Sequence, residues 1–174
     1  NHQSHFDWVL IWAALPQDLR TNTRPIAARD YWTSSPFKAW LTREVFHAVY
    51  VNRTRTKDAS GLGTDDQDPL EPLLEALSHG DSLVIFPEGT RSNKGEPQAF
   101  KSGLYNLAQA HPQVQLIPTW IDNVQRVMPK GEVVPVPILC SVTFGAPIQM
   151  QPDEDKRAFL ERARAAVLAL RDVR

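Results

Sequence analysis

Short apolar runs of strand character alternate with amphipathic stretches of helical period along this chain, and that alternation restricts it to a layered α/β fold. Residues 82–86 form a compact apolar run, and residues 48–52 one rich in Val and Tyr. Residues 25–28, 115–121 and 139–144 complete the expected strands. Ser4 followed by Asp7 marks a helix start, with Phe6, Val9, Leu10 and Ala13 as its stripe. Pro36 opens a second helix carrying Phe37, Trp40, Leu41 and Val45. A third spans residues 69–78, with Leu70, Leu73, Leu74 and Leu77 inward and Gly80 closing it. Helices over 100–110 and 155–170 follow, and residues 54–68 read as a polar loop. The expected architecture is a mixed, mostly parallel central sheet flanked by helices, a single layered domain spanning residues 1–174.

Composition narrows the function classes. A net charge of -1 gives no pull towards nucleic acid. The single cysteine, Cys140, excludes an internal disulfide and a cysteine-based zinc cluster; it is expected in the core of a protein from a reducing compartment. The longest apolar runs, such as residues 8–15, fall short of the ~20 residues a membrane helix needs. Charge is unevenly spread: residues 20–57 carry eight basic and two acidic residues, residues 58–80 six acidic and no basic ones. Two solvated faces explain this, as does a basic face towards phosphate or anionic headgroups.

Two constellations carry possible chemistry. In Asn1-His2-Gln3-Ser4-His5-Phe6-Asp7, His2 and Asp7 would lie about 140° apart on a continuous helix. They meet only if His2 sits in the loop before the helix and Asp7 in its first turn. A carboxylate on one imidazole nitrogen then leaves the other free to take a proton. The same residues also read as a capping pair preceded by loop, or as part of a metal site from His2, His5 and Asp7 that lacks a fourth ligand. Phe86-Pro87-Glu88-Gly89-Thr90-Arg91-Ser92 follows a strand directly, where α/β proteins place ligand sites. Gly89 permits close backbone approach, and Arg91 suits a phosphate.

Together these segments resemble the first and third signature blocks of the glycerol-phosphate and lysophosphatidate acyltransferases, in the same order and at a similar separation. Val49-Tyr50-Val51-Asn52-Arg53 is similar to the second block, with Asn52 where that family usually carries aspartate. Leu116-Ile117-Pro118-Thr119-Trp120-Ile121 resembles the fourth, an apolar strand broken by proline. Phe100-Lys101-Ser102-Gly103 resembles the opening of the helix after the third block. The resemblance covers residues 1–123.

What the resemblance implies is transfer of a fatty acyl group from acyl-CoA or acyl carrier protein to the free hydroxyl of a lysophospholipid such as 1-acylglycerol-3-phosphate, in phospholipid biosynthesis. His2 would be the general base and Asp7 its orienting carboxylate. Backbone N–H groups near Gly89 would meet the oxyanion. Arg53, Glu88, Gly89, Thr90, Arg91, Lys101 and Pro118 would form the substrate site, with Glu88 bracing an arginine. No metal and no cofactor is implied, the acyl donor being a substrate. Partners would be the two lipid substrates and a membrane surface, at its cytoplasmic face, with no nucleic acid. Since the chain opens inside the first block, a strand and a membrane-anchoring segment are expected upstream. Two other readings fit the same residues: a non-catalytic lipid-binding module, and a hydrolase using water as acceptor.

Overall fold

The computed structural model describes residues 1–4, 7–51, 68, 70–92, 96–122 and 140–172. They form two compact units. One comprises Asn1–Arg20 with Phe86–Arg174, the other Thr21–Ile85.

In the Thr21–Ile85 unit, β1 (Thr23–Ala28) pairs in parallel with β2 (Val49–Val51) and β3 (Ser82–Val84), in the order β2-β1-β3. β1 alternates buried and half-buried positions, as a strand covered on one face should. Its Pro25 would normally argue against a central strand. Here β3 pairs with residues 23–25 and β2 with residues 26–28, so Pro25 sits where the strand has a ladder neighbour on one side only. Helix α3 (Arg29–Trp32) packs on β1. α4 (Pro36–Trp40) continues into a π-helical turn, Leu41–Val45. α5 (Glu71–Ser78) lies against β2 and β3, burying Leu73 and Ala76. Its end is closed through Gly80, whose φ of 85° is the left-handed conformation glycine adopts freely. Arg24 pairs with Asp81 at 2.7 Å.

The other unit contains α1 (Asp7–Ala14), α2 (Gln17–Arg20), α6 (Ser102–Ala110), the antiparallel pair β4 (Thr119–Asp122) and β5 (Ser141–Phe144), and α7 (Lys156–Leu168). α1 packs on both strands, and α7 on α6 and β4. α7 buries Phe159, Ala163 and Val167, four residues apart on one face. Phe159 is fully enclosed and meets Tyr105 of α6 edge-on at 5.9 Å. Truncating such a phenylalanine to alanine costs about 3–5 kcal/mol. The helix begins where the sequence predicts. Asp155 accepts from the N–H groups of Arg157 and Ala158, a cap worth ~1 kcal/mol.

The class read from the sequence, mixed α/β with mostly parallel strands and flanking helices, is the one observed. Several local expectations shift. α1 buries Asp7, Trp8 and Ile11, whereas Val9 and Leu10 are only half-buried and Ala13 is exposed. The expected stripe was thus out by about one position. β3 stops at Val84, releasing Ile85 and Phe86 to the following turn. The predicted 115–121 strand is split at Pro118: Leu116 makes a single bridge with Ile148, and residues 119–121 form most of β4. Phe37, Trp40 and Val45 point outward, and the residue buried in that stretch is Thr42, whose hydroxyl bonds to Tyr50 Oη at 2.6 Å. The predicted 54–68 loop falls outside the described residues except for Asp68.

Candidate active site

The unit of Asn1–Arg20 and Phe86–Arg174 brings the two chemical constellations together. His2 lies in the loop before α1, and Asp7 is that helix's first residue. Ser4 N–H donates to Asp7 Oδ2 at 2.9 Å and Gln3 N–H to the same oxygen at 2.6 Å. These bonds fold the loop back over the helix start, as a first-turn carboxylate capping orphan donors should. His2 Nδ1 approaches that oxygen at 2.8 Å. The geometry of the capping reading and that of the His–Asp pair therefore coincide: one carboxylate oxygen holds both the loop N–H groups and the imidazole.

This geometry assigns the histidine tautomer. An ionised carboxylate only accepts, so Nδ1 carries the proton and Nε2 presents a lone pair. Nε2 makes no hydrogen bond among the described residues, and the imidazole is 17% exposed while Asp7 is enclosed. The ring stacks on Phe86, centroids 4.3 Å apart and planes 19° from parallel.

The turn after β3 holds the same loop. Gly89 N–H donates to Phe86 O at 3.0 Å, closing a β-turn with Pro87 at its second position. Gly89 has φ 69°, and a Cβ there would sit 3.0 Å from Lys101 Cδ and Cε and 3.1 Å from its Nζ. The lysine side chain thus lies across the bare glycine. Gly89 N–H is spent on the turn and is not itself a free donor. Thr90 and Arg91, both exposed, have backbone N–H groups with no acceptor among the described residues. Neither the Arg91 guanidinium nor the Lys101 ammonium has an ion-pair partner among them either.

Glu88 departs from expectation. It is 1% exposed, and it pairs with no arginine among the described residues. Oε1 accepts from His2 N–H at 2.8 Å and Oε2 from Gln98 N–H at 2.7 Å. Buried carboxylates need such donors, and here main-chain groups supply them. Ser92 N–H also donates to His2 O at 2.8 Å, so both backbone groups of His2 are bound to the third block. Pro118 is buried ahead of β4, with its carbonyl accepting from Gly145 N–H at 2.8 Å. Arg53 lies outside the described residues. Cys140, expected in the core, is only half-buried beside β5, its thiol pKa raised by burial and by the carboxylates of Asp122 and Asp7.

Sequence reasoning missed several supports. The Asn1 carboxamide makes a paired contact with Ile121 of β4, Nδ2 donating to its carbonyl and Oδ1 accepting from its N–H, both at 2.8 Å. It ties the histidine loop to the fourth block much as a strand neighbour would. Phe86 and Gln98 gave no separate signal, since stacking and main-chain bonding depend on placement rather than residue type.

Residues 1–122 match a family model described as Acyltransferase. A 1-acyl-sn-glycerol-3-phosphate acyltransferase alpha of Ovis aries is 30% identical over 175 residues, covering 98% of this chain and 55% of that protein. Its counterpart in Mus musculus is 32% identical over 134 residues, 76% of this chain and 42% of that protein. The crystal structure of the 1-acyl-sn-glycerophosphate (LPA) acyltransferase PlsC from Thermotoga maritima superposes with a TM-score of 0.69 at 23% identity, over 99% of this chain and 64% of that one. This chain spans about half the length of the curated relatives it matches. With the family match running through both motif blocks and on to the end of β4, the chain belongs to the acyltransferase family.

Proposed function

We propose that the protein is an O-acyltransferase moving a fatty acyl group from a thioester of coenzyme A or acyl carrier protein to the free hydroxyl of 1-acylglycerol-3-phosphate or a similar lysophospholipid, in phospholipid biosynthesis. The observation that carries this reading is His2 held by a buried Asp7 through Nδ1, with Nε2 unengaged among the described residues. Nε2 takes the proton of the acceptor hydroxyl as its oxygen attacks the thioester carbonyl. The carbonyl oxygen becomes an oxyanion, for which the N–H groups of Thr90 and Arg91 are the donors this turn leaves available. Collapse of the intermediate re-forms the carbonyl and breaks the C–S bond. The thiolate leaves with the proton from the imidazolium, so His2 returns to its starting state. Asp7 stabilises the imidazolium between the two steps.

Arg91, Lys101 and, from its place in the sequence, Arg53 supply cations for the acceptor phosphate. The mammalian relatives and the Thermotoga protein carry names for 1-acyl-sn-glycerol-3-phosphate or LPA chemistry, which supports that acceptor class. We assign the protein to the cytoplasmic face of a membrane. No described helix is long and apolar enough to cross one. Phe37 and Trp40 are exposed and stacked with centroids 6.2 Å apart, and such aromatics suit a headgroup interface.

The test is acyl transfer by the whole protein from acyl-CoA to 1-acylglycerol-3-phosphate, beside His2→Ala, with and without acceptor. The proposal expects acceptor-dependent release of thiol and a diacyl product, lost in His2→Ala by ~10²-fold or more. Thiol release independent of acceptor would make the protein a hydrolase. Lipid binding without turnover would make it a binding module.

A further inference from the structure

We infer that Arg164, on α7 and beyond the segment matched by the family model, is a positioning residue for His2. The inference rests on reading His2 as the general base. Arg164 donates from both Nε and Nη2 to the carbonyl of Pro97, at 3.0 and 2.8 Å. That carbonyl and the N–H of Gln98 belong to one planar peptide group. The Gln98 N–H donates to Glu88 Oε2, and Glu88 Oε1 accepts from His2 N–H. One rigid peptide is therefore gripped at its oxygen by a cationic fork and at its N–H by the buried carboxylate that holds the His2 backbone.

Two physical effects follow. The guanidinium draws electron density towards the Pro97 oxygen and so strengthens the Gln98 N–H as a donor, the cooperativity expected of chained hydrogen bonds away from water. It also fixes the orientation of the peptide plane. Pro97 is fully buried, so this peptide has little freedom apart from rotation about its own axis. Two donors aimed at one carbonyl remove that rotation. Glu88 then has a fixed partner on one side and transmits a fixed position to His2 on the other. A helix needed only for packing would bury its apolar face, which α7 does with Phe159, Ala163 and Val167; Arg164 is a polar contact on a different residue with a different target. Arg171, just past the helix, pairs with Glu96 at 2.9 Å, but both side chains are about half exposed and that link ends at the surface.

The experiment compares kcat and KM for Arg164→Ala, Arg164→Lys, Val167→Ala and His2→Ala in the whole protein, with melting temperatures and hydrogen exchange at the Gln98 and His2 amides. For Arg164→Ala, kcat should fall roughly tenfold, short of the ~100-fold a 1 Å misplacement can cost. KM for both substrates should stay within about twofold, because no ground-state contact is removed. Exchange at Gln98 and His2 should quicken. Arg164→Lys, which offers the same carbonyl a donor without the fork, should recover part of kcat. Val167→Ala lowers the melting temperature through a cavity on the same helix and should keep kcat.

An unchanged kcat in Arg164→Ala overturns the inference, as does a rise in KM in place of the fall in kcat. So does a Val167→Ala variant that loses as much turnover for an equal loss of melting temperature. If Arg164→Ala does not fold, wild-type kcat together with wild-type Gln98 exchange in Arg164→Lys overturns it. Turnover that survives His2→Ala sinks the base assignment itself; an inactive His2→Ala beside an unaffected Arg164→Ala sinks only the role of Arg164.

Discussion

Replacing Glu88 by glutamine separates a carboxylate that positions His2 from one that meets a substrate. The side chain is 1% exposed, and its two oxygens accept from His2 N–H and Gln98 N–H at 2.8 and 2.7 Å. Glutamine keeps the shape but has one acceptor. Whichever way the amide turns, its NH2 faces a backbone N–H that is held by the fold. One charge-assisted bond, worth ~1.5–3 kcal/mol, is lost, and a buried donor is left opposite another donor. The variant should lose about 2–4 kcal/mol of stability. At ~2–4 °C per kcal/mol for a chain of this size, the melting temperature should drop by roughly 5–15 °C. The freed loop carries His2, so kcat should fall by about 10–100-fold. KM for the acceptor should change little, because Glu88 is enclosed by protein. Calorimetry and steady-state kinetics with varied acceptor read both quantities. A melting temperature and kcat equal to wild type would refute the bracing argument. A raised acceptor KM with kcat retained would refute it differently, by showing that the carboxylate reaches the substrate.

Gly89→Ala tests the close approach in the turn. The new methyl would lie 3.0 Å from the Lys101 stem, which can swing aside, while the left-handed φ of 69° costs about 1 kcal/mol in alanine; a modest fall in melting temperature with a rise in acceptor KM, as Lys101 is displaced, is the expected result. Glu154→Gln tests the pH dependence of stability. Arg162 bonds the Glu154 carboxylate through Nε at 2.7 Å and Nη2 at 2.6 Å, and this hydrogen bonding holds its pKa below the usual value. A depressed folded-state pKa stabilises the fold above the unfolded-state value of ~4.3 and loses that contribution as pH falls through the folded-state value. Glu154→Gln should therefore cost about 1 kcal/mol near neutral pH and almost nothing in strong acid, where denaturation midpoints of the two proteins should converge. A constant difference across the acid range would remove the ion pair as its cause.

How much was legible in the chain differs from residue to residue. The α7 start was readable because Asp155 caps helical N–H groups two and three residues on, a purely local relation. The left-handed Gly80 after α5 was readable for the same reason. The hold of Asp7 on its own loop was readable, since a carboxylate in a first turn serves that loop whatever lies above it. The strand ends were less so. β3 ends at Val84 although Ile85 and Phe86 are equally apolar, because Phe86 is drawn off to stack on an imidazole 84 residues earlier. Hydropathy cannot carry that information.

The sequence by itself determined the α/β class and the family to which the two motif blocks point, and it offered the pairing of a histidine with a first-turn aspartate as one reading among three. All three depend on residues within a turn or two of one another, or on the order of motifs along the chain. Tertiary structure alone decided what holds the histidine in place. The Asn1 contact with Ile121 spans 120 residues, the Glu88 bond to His2 spans 86, and the Arg164 bonds to Pro97 span 67. None has a compositional signature, because a backbone N–H or carbonyl belongs to every residue. A glutamate, an asparagine and an arginine find such groups only once packing has brought the segments together and shut out the water that would otherwise have satisfied them.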